Sequence, residues 1–466
     1  MNKLFYRPAD AWVGDNIPCY SNGKFYLYYQ ADRRIPVPFP KGEPFGWSLA
    51  VSDDLISFSD YGEVLHKGEK GGREHCIFAG SVIYHNDLFY AFYTAENRAW
   101  SGHPEMPPSE VVRIATSRDG ISWEKHPELT MEAPDLFDND YFRDPAVFRM
   151  DDGRFILIVC TRKKDGPKIR KGVLITYEGS DLLHWEYKGI FYDPEAYFLL
   201  QMPDLFRIGD WYYLLFSELD DQRRTRYRMS RSLNGPWLPP ADDCFDGRCY
   251  YAARTINVDG RRFMFGWNPT RENNDDLGMW IWGGNSVIHE IFQNDDGTLS
   301  TKLPDFISNR FIPSSKKYAT SLSLCSVDGY KKLVFDNEAG NFYRIDFDFV
   351  LSEGTFGFGI KFYENSDEDI GYIYHFIPGE NRIEFNKTPD YPWFRCMNRG
   401  LTRPVNGLIG EKHHVTLIVD DDIALLYIDG VALNARMAEK PGNEIAFIIH
   451  AGKAEIDGIS YYEEIR

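Results

Sequence analysis

Between Gly23 and Trp267 the chain repeats one pattern, a turn residue followed by a run of aromatic and aliphatic positions. The runs are Gly23-Lys24-Phe25-Tyr26-Leu27-Tyr28-Tyr29, Asp87-Leu88-Phe89-Tyr90-Ala91-Phe92-Tyr93, Gly153-Arg154-Phe155-Ile156-Leu157-Ile158-Val159, Gly209-Asp210-Trp211-Tyr212-Tyr213-Leu214-Leu215-Phe216 and Gly260-Arg261-Arg262-Phe263-Met264-Phe265-Gly266-Trp267. Turn chemistry at the start of each run marks it as the second strand of a hairpin. A second pattern follows most of them. It reads Ala50-Val51-Ser52-Asp53-Asp54-Leu55-Ile56-Ser57-Phe58, and recurs at Ala115–Trp123, Tyr177–Trp185 and Met229–Trp237, as a strand, a polar turn and a closing aromatic. Apolar residues at i, i+3, i+4 and i+7 are hard to find, so helices are not expected. Five units of roughly fifty to sixty-five residues, each holding about four strands, predict a five-bladed β-propeller.

The pattern stops near Pro304. Alternating strands such as Phe342-Tyr343-Arg344-Ile345-Asp346-Phe347-Asp348-Phe349-Val350 take over, and Asp429-Gly430 sits between two apolar runs as a hairpin turn. This half reads as an antiparallel β-sandwich. The expectation is therefore an all-β chain, with a propeller over residues 1–305, a linker over 306–317 and a sandwich over 318–466.

Composition narrows the function classes. The formal charge of −18 over 466 residues disfavours a nucleic-acid partner, which calls for a basic face. The seven cysteines are scattered and form no CxxC pair, so they read as reduced, mostly buried thiols, and no metal or other cofactor is expected. No run of eighteen apolar residues predicts a membrane span, and Met1–Pro8 lacks the apolar stretch of a signal peptide, so a cytoplasmic protein is expected. A small carbohydrate is the expected partner; oligomeric state is not legible.

In a propeller, positions at the start of each blade's first strand point into the central channel and converge there. Asp15, Asp144 and Gln201 occupy such positions in three blades. Around them, Arg143-Asp144-Pro145, Pro203-Asp204-Leu205-Phe206, Phe78-Ala79-Gly80-Ser81, Tyr251-Ala252-Ala253 and Gly266-Trp267 resemble the motifs of glycoside hydrolase family 32, the β-fructosidases related to invertase, inulinase and levanase. The resemblance covers nearly the whole chain and implies the same propeller-plus-sandwich fold. It implies Asp15 as nucleophile, Asp144 as transition-state stabiliser with Arg143 beside it on the fructose hydroxyls, and Gln201 at the place of the general acid/base glutamate. The family's Asn-Asp-Pro-Asn-Gly is replaced here by Gly14-Asp15-Asn16-Ile17-Pro18.

The glutamine matters chemically. Retaining hydrolysis needs a carboxylic acid to protonate the leaving oxygen, and an amide does not do this at neutral pH. Glu218, seventeen residues after Gln201 and at the end of the return strand, is the candidate replacement acid. Trp47, Ser81 and Asp204 join Arg143 and Gln201 as candidate substrate contacts. Trp12, Trp47 and Trp100 suit a sugar platform or the core, with core packing at least as good a reading for each. Asp32-Arg33-Arg34 suits a polar ligand or an exposed loop, His289-Glu290 closure of the fifth blade, and Tyr391-Pro392-Trp393-Phe394-Arg395 an aromatic surface or packing on the propeller. The expected reaction is retaining hydrolysis of a β-fructofuranoside. Two alternatives stay open: a weak or inactive fructoside-binding propeller, and a glycosidase of changed furanoside specificity, such as one for a difructose dianhydride or an arabinofuranoside.

Overall fold

The structure, a computed structural model, describes residues 2–220, 222–389 and 400–466. Five small antiparallel sheets come first. Blade I holds Trp12–Ser21, Lys24–Asp32, Trp47–Ser52 and Ser59–Leu65; blade II holds Cys76–His85, Leu88–Glu96, Glu110–Ser117 and Glu124–Lys125. Blade III holds Phe137–Arg149, Phe155–Lys163, Gly172–Gly179 and Glu186–Tyr192, and blade IV holds Leu200–Ile208, Trp211–Glu218 and Thr225–Ser230. Blade V holds Tyr251–Val258, Arg261–Arg271, Trp280–Gln293 and Leu299–Lys302, and joins blade I through the pairing of Val13 with Gly284. The first strands of the five blades touch one another in a closed ring, blade I to II, II to III, III to IV, IV to V and V to I. The repeat in the sequence is thus a five-bladed propeller.

Burial explains the aromatic runs. Each run is the second strand of its blade, covered on both faces by neighbouring blades, so it is apolar throughout rather than alternating. The outer strands Ser59–Leu65 and Glu186–Tyr192 are more exposed and mix charged residues with apolar ones such as Tyr61, Tyr187 and Ile190. The recurrent polar turn is an Asx turn. Asp54 accepts the backbone N–H groups of Ile56 and Ser57 at 2.9 and 2.7 Å, Asp119 those of Ile121 and Ser122 at 2.8 and 2.7 Å, and Asp181 those of Leu183 and His184 at 2.9 and 2.7 Å.

The C-terminal half is a sandwich. Its long last strand, Glu444–Ile465, bends at Ala451 and Gly452, both at positive φ. Before the bend it pairs with Gly357–Asn365, and after it with Phe342–Leu351, so one strand serves both layers. Phe347, Phe349, Phe358 and Phe447 fill the space between them. Residues 306–317 hold the end of a short helix, Asp305–Ser308, and the strand Phe311–Pro313, which pairs with the last strand. The two halves are tied by polar groups as well as apolar ones. Asp420 accepts the N–H groups of Lys3 and Leu4 at 2.9 and 2.8 Å, and buried His289 bridges Asp246 and Tyr427. Among the described residues no helix is long and apolar enough to cross a membrane.

Candidate active site

Every first strand of the propeller breaks its register at the same level. The pairing with the second strand shifts between Val13 and Asn16 in blade I, Phe78 and Gly80 in blade II, Gln201 and Asp204 in blade IV, and Tyr251 and Arg254 in blade V. In blade III the shift falls opposite Asp144–Pro145. A bulge bends its strand and re-aims a side chain. Five bulges in a ring therefore build the channel site, and three adopt left-handed backbone at non-glycine residues: Asp144 at φ 56°, Met202 at 50° and Ala252 at 55°. Such positions are uncommon and cluster at functional sites.

Bulges take backbone groups out of the ladder, and buried groups must find partners. Side chains of neighbouring blades supply them. The Gln30 amide accepts the Asp15 N–H at 3.3 Å and donates to the Ile77 carbonyl at 3.3 Å. The Thr94 hydroxyl donates to the Ala79 carbonyl and accepts the Asp144 N–H, both at 2.9 Å. The Asp144 carboxylate accepts the Met202 N–H at 3.0 Å. Arg254, fully buried, donates to the carbonyls of Pro203 at 2.7 Å and Asp144 at 2.9 Å, clamping the bulges of blades III and IV from blade V.

This ring brings Asp15, Asp144, Arg143 and Gln201 to the channel. The Trp267 indole N–H donates to Asp15 Oδ1 at 3.0 Å. Burial, and then the neighbouring Asp144 carboxyl, push the Asp15 carboxyl up to about 7, against the pull of the indole N–H, Arg254 and Arg143. Burial also raises Asp144, offset by Arg143, the Met202 N–H and Arg254. Arg143 is held in a bidentate pair with Glu110, its Nε donating to Oε2 at 2.8 Å. Glu110 is itself buried, and burial lifts its carboxyl to about 7 despite that arginine.

Gln201 stands across the channel as an amide. Its Oε1 accepts the Tyr251 hydroxyl at 3.0 Å, and that hydroxyl also lies 3.1 Å from the backbone carbonyl of Glu218. Gln201 pairs with Ser217 in register and Leu200 with Glu218, so the Glu218 side chain lies on the opposite strand face from Gln201. The Glu218 carboxylate accepts the N–H groups of Asp220 at 2.8 Å and Arg224 at 3.3 Å, with Arg226 at 3.6 Å, and so holds the turn between the second and third strands of blade IV.

The other sequence candidates lie further out. Trp47 is fully buried between blades I and II and donates its indole N–H to the Phe78 carbonyl at 2.9 Å. Asp204 accepts the Thr255 N–H and hydroxyl at 2.8 and 2.6 Å, joining blades IV and V. Ser81 is half-buried opposite Phe92, two residues beyond the blade II bulge. Arg7 and Arg34 lie over the Trp12 ring, Arg73 lies over Trp100, and Asp32 accepts the N–H groups of Arg34 and Phe39. Residues 391–395 lie outside the described residues.

Sequence reasoning missed Glu110, Arg254 and Trp282. Glu110 carries no local motif, whereas Arg254 directly follows the quoted Tyr251-Ala252-Ala253. Trp282 explains Gly14, because a Cβ there would sit 2.0 Å from the indole. The same indole stacks on Phe45 at 5.6 Å and meets Trp267 edge-on at 5.9 Å, which gives the channel an aromatic wall.

The ring of bulges gathers two coupled buried carboxyls, a fixed guanidinium and an aromatic wall, side chains suited to hold a polar ring. Residues 5–302 match the glycosyl hydrolases family 32 N-terminal domain, and the chain belongs to that family of glycosidases. It is 23% identical to sucrose-6-phosphate hydrolase of Escherichia coli over 414 residues, 82% of this chain and 80% of the relative. It is 23% identical to raffinose invertase of Escherichia coli over 395 residues, 80% of this chain and 79% of the relative. Among solved structures, sucrose-6-phosphate hydrolase from Lactobacillus gasseri superposes with a TM-score of 0.76 at 18% identity, covering 100% of this chain and 93% of that one. Fructan 1-exohydrolase IIa from Cichorium intybus superposes with a TM-score of 0.78 at 15% identity, covering 100% and 97%.

Proposed function

We propose that the chain cleaves β-fructofuranosides with retention, through a fructosyl–enzyme ester on Asp15. The observation that carries this reading is the Asp15–Asp144 pair, two carboxyls in one buried channel with separate partners. Asp15 has one indole N–H and is poised near neutral pH, as a nucleophile that must ionise and then carry carbon requires. Asp144 receives the Met202 N–H, and Arg143 and Arg254 offset the upward push of burial on its carboxyl, which suits a group that holds sugar hydroxyls beside Asp15. Arg143, locked by Glu110, stands beside it to orient the ring.

The named relatives act on sucrose-6-phosphate, raffinose and, in the Bacillus subtilis levanase, levan, which supports a fructosyl unit in the channel. The test is fructose release, followed by NMR for the first-formed anomer. Sucrose, raffinose, inulin, levan and an aryl β-fructofuranoside are each offered to wild type, Asp15→Asn and Glu218→Gln. The reading expects the β-anomer from at least one fructoside and none from Asp15→Asn. Fructose release that survives Asp15→Asn, or release from none of the panel by wild type, overturns it. Loss of turnover in a folded Glu218→Gln variant would instead make Glu218 the proton donor.

A further inference from the structure

Resting on that reading, we infer that the site is built for β-fructofuranosides whose aglycone is itself an acid, leaving as a stable anion without protonation. Two observations carry this. The Tyr251 hydroxyl fixes the Gln201 amide, and the Tyr251 ring meets Trp267, the donor to Asp15, edge-on at 5.5 Å, so the position where the resemblance expects a proton donor to the leaving oxygen holds an amide linked to the nucleophile's own partner. An amide hydrogen-bonds but gives up no proton. The candidate replacement acid on that blade, Glu218, is turned into the loop and engaged by two backbone N–H groups and Arg226.

The second observation is a cation at the same rim. Arg223 sits exposed at positive φ on the turn that Glu218 holds, and the Tyr251 hydroxyl that contacts Gln201 also donates to the Glu218 carbonyl at the base of that turn. Proton donor is thus replaced by an amide next to a guanidinium, which serves a departing anion and not a departing alkoxide.

The chemistry balances without an acid. The Asp15 carboxylate forms a bond to the anomeric carbon as the bond to the aglycone oxygen breaks, and the aglycone leaves with the electron pair as a phenolate, carboxylate or phosphate. Water then forms the new bond to the anomeric carbon, the Asp15 ester bond breaks, and the water proton passes to solvent. With no base at Gln201 the second step is slow, so the ester accumulates, and a small anion that needs no deprotonation outruns water.

The experiment is a leaving-group series on wild type and Gln201→Glu: sucrose, aryl β-fructofuranosides of graded phenol acidity, and β-fructofuranosyl fluoride, with and without azide. Wild type is expected to turn over the most acidic leaving groups faster than sucrose by about 10²- to 10⁴-fold, the usual contribution of general acid catalysis. Azide should accelerate wild type and yield fructosyl azide. Gln201→Glu should raise sucrose turnover by a similar factor and abolish the azide effect, and Arg223→Gln should slow the departure of phenolates and of fluoride alike. Wild-type turnover of sucrose equal to that of the activated substrates would overturn the inference and leave the fructosidase standing. Turnover of nothing in the series by either protein would overturn both.

Discussion

The two sides of the channel use one backbone device for opposite chemistry. Blades I and III each bulge to present a carboxyl, Asp15 and Asp144, and surround it with N–H donors and guanidinium groups from neighbouring blades. Blade IV bulges at the same level, with the same left-handed residue at Met202, and presents an amide. The backbone geometry of the blade IV position is intact down to the hydrogen bond from Tyr251, so what differs is proton chemistry and not shape. The comparison teaches that one bulge architecture can carry a carboxyl or an amide, because the blade IV bulge is held by Asp144 on the Met202 N–H and Arg254 on the Pro203 carbonyl, contacts that the side chain at position 201 does not make.

The largest effect is expected on the Asp15 side. Asp15→Asn should lower turnover of an activated fructoside by on the order of 10⁴ or more, as loss of a catalytic nucleophile does, measured by steady-state release of the phenol. In wild type, kcat/KM should climb as pH rises through about 7, where Asp15 ionises, and then stay level. No alkaline limb is expected, since Gln201 does not titrate; Gln201→Glu should convert the plateau to a bell.

The next effect belongs to the frame around Asp144. Glu110 and Arg143 form a buried pair, and removing one partner strands the other charge. Glu110→Ala should cost about 3–5 kcal/mol of stability in a denaturant titration.

Asp15 also sets a stability term of opposite sign to its function. Its carboxyl is raised from 3.8 to about 7 in the fold, so the native state binds the proton more tightly than the unfolded chain. The stability it allows is complete below about pH 4 and falls as pH climbs through 7. Asp15→Asn should therefore stabilise the protein at pH 8 by about 2–4 kcal/mol, with the gain vanishing below pH 4, measured as paired urea titrations. Gln201→Leu, by contrast, should show no pH-dependent gain.

The smallest effect tests the amide side. Tyr251→Phe removes the hydroxyl that fixes Gln201 and meets the Glu218 carbonyl, and should cost about 1 kcal/mol of stability. It should raise KM for aryl fructosides more than it lowers kcat, because it loosens a binding contact rather than a reacting group.

Much of this was legible in the sequence because propeller blades repeat. Second strands packed on both faces must be apolar, and Asx turns need their aspartates, so the blades announce themselves in Phe, Tyr and Asp. Asp15, Asp144 and Gln201 were legible as residues at the openings of their blades, but the expectation that they occupy equivalent places is corrected by the register: Gln201 matches Arg143, Asp144 matches Met202, and Asp15 matches Pro145 and Pro203. The bulges were not, since one extra residue leaves a period-2 pattern readable on either side. Glu110 was hidden because its partner lies thirty-three residues away in the next blade. Trp47 reads as a subsite aromatic or as core, and a fully buried third strand places it in the core between blades I and II. Glu218 ends beside Leu200 as hairpin geometry predicts, but strand alternation, which depends on register, turns its carboxylate into the loop.

The central claim is that Asp15 takes the fructosyl unit in a channel without an acid/base, and covalent trapping tests it most directly. Wild type is mixed with β-fructofuranosyl fluoride, quenched in acid within seconds and digested for mass spectrometry. The account predicts one anhydrofructosyl addition on the peptide containing Asp15, diminished by azide and absent from Asp15→Asn. Rapid consumption of the fluoride with no addition, or an addition on another carboxylate, would contradict it.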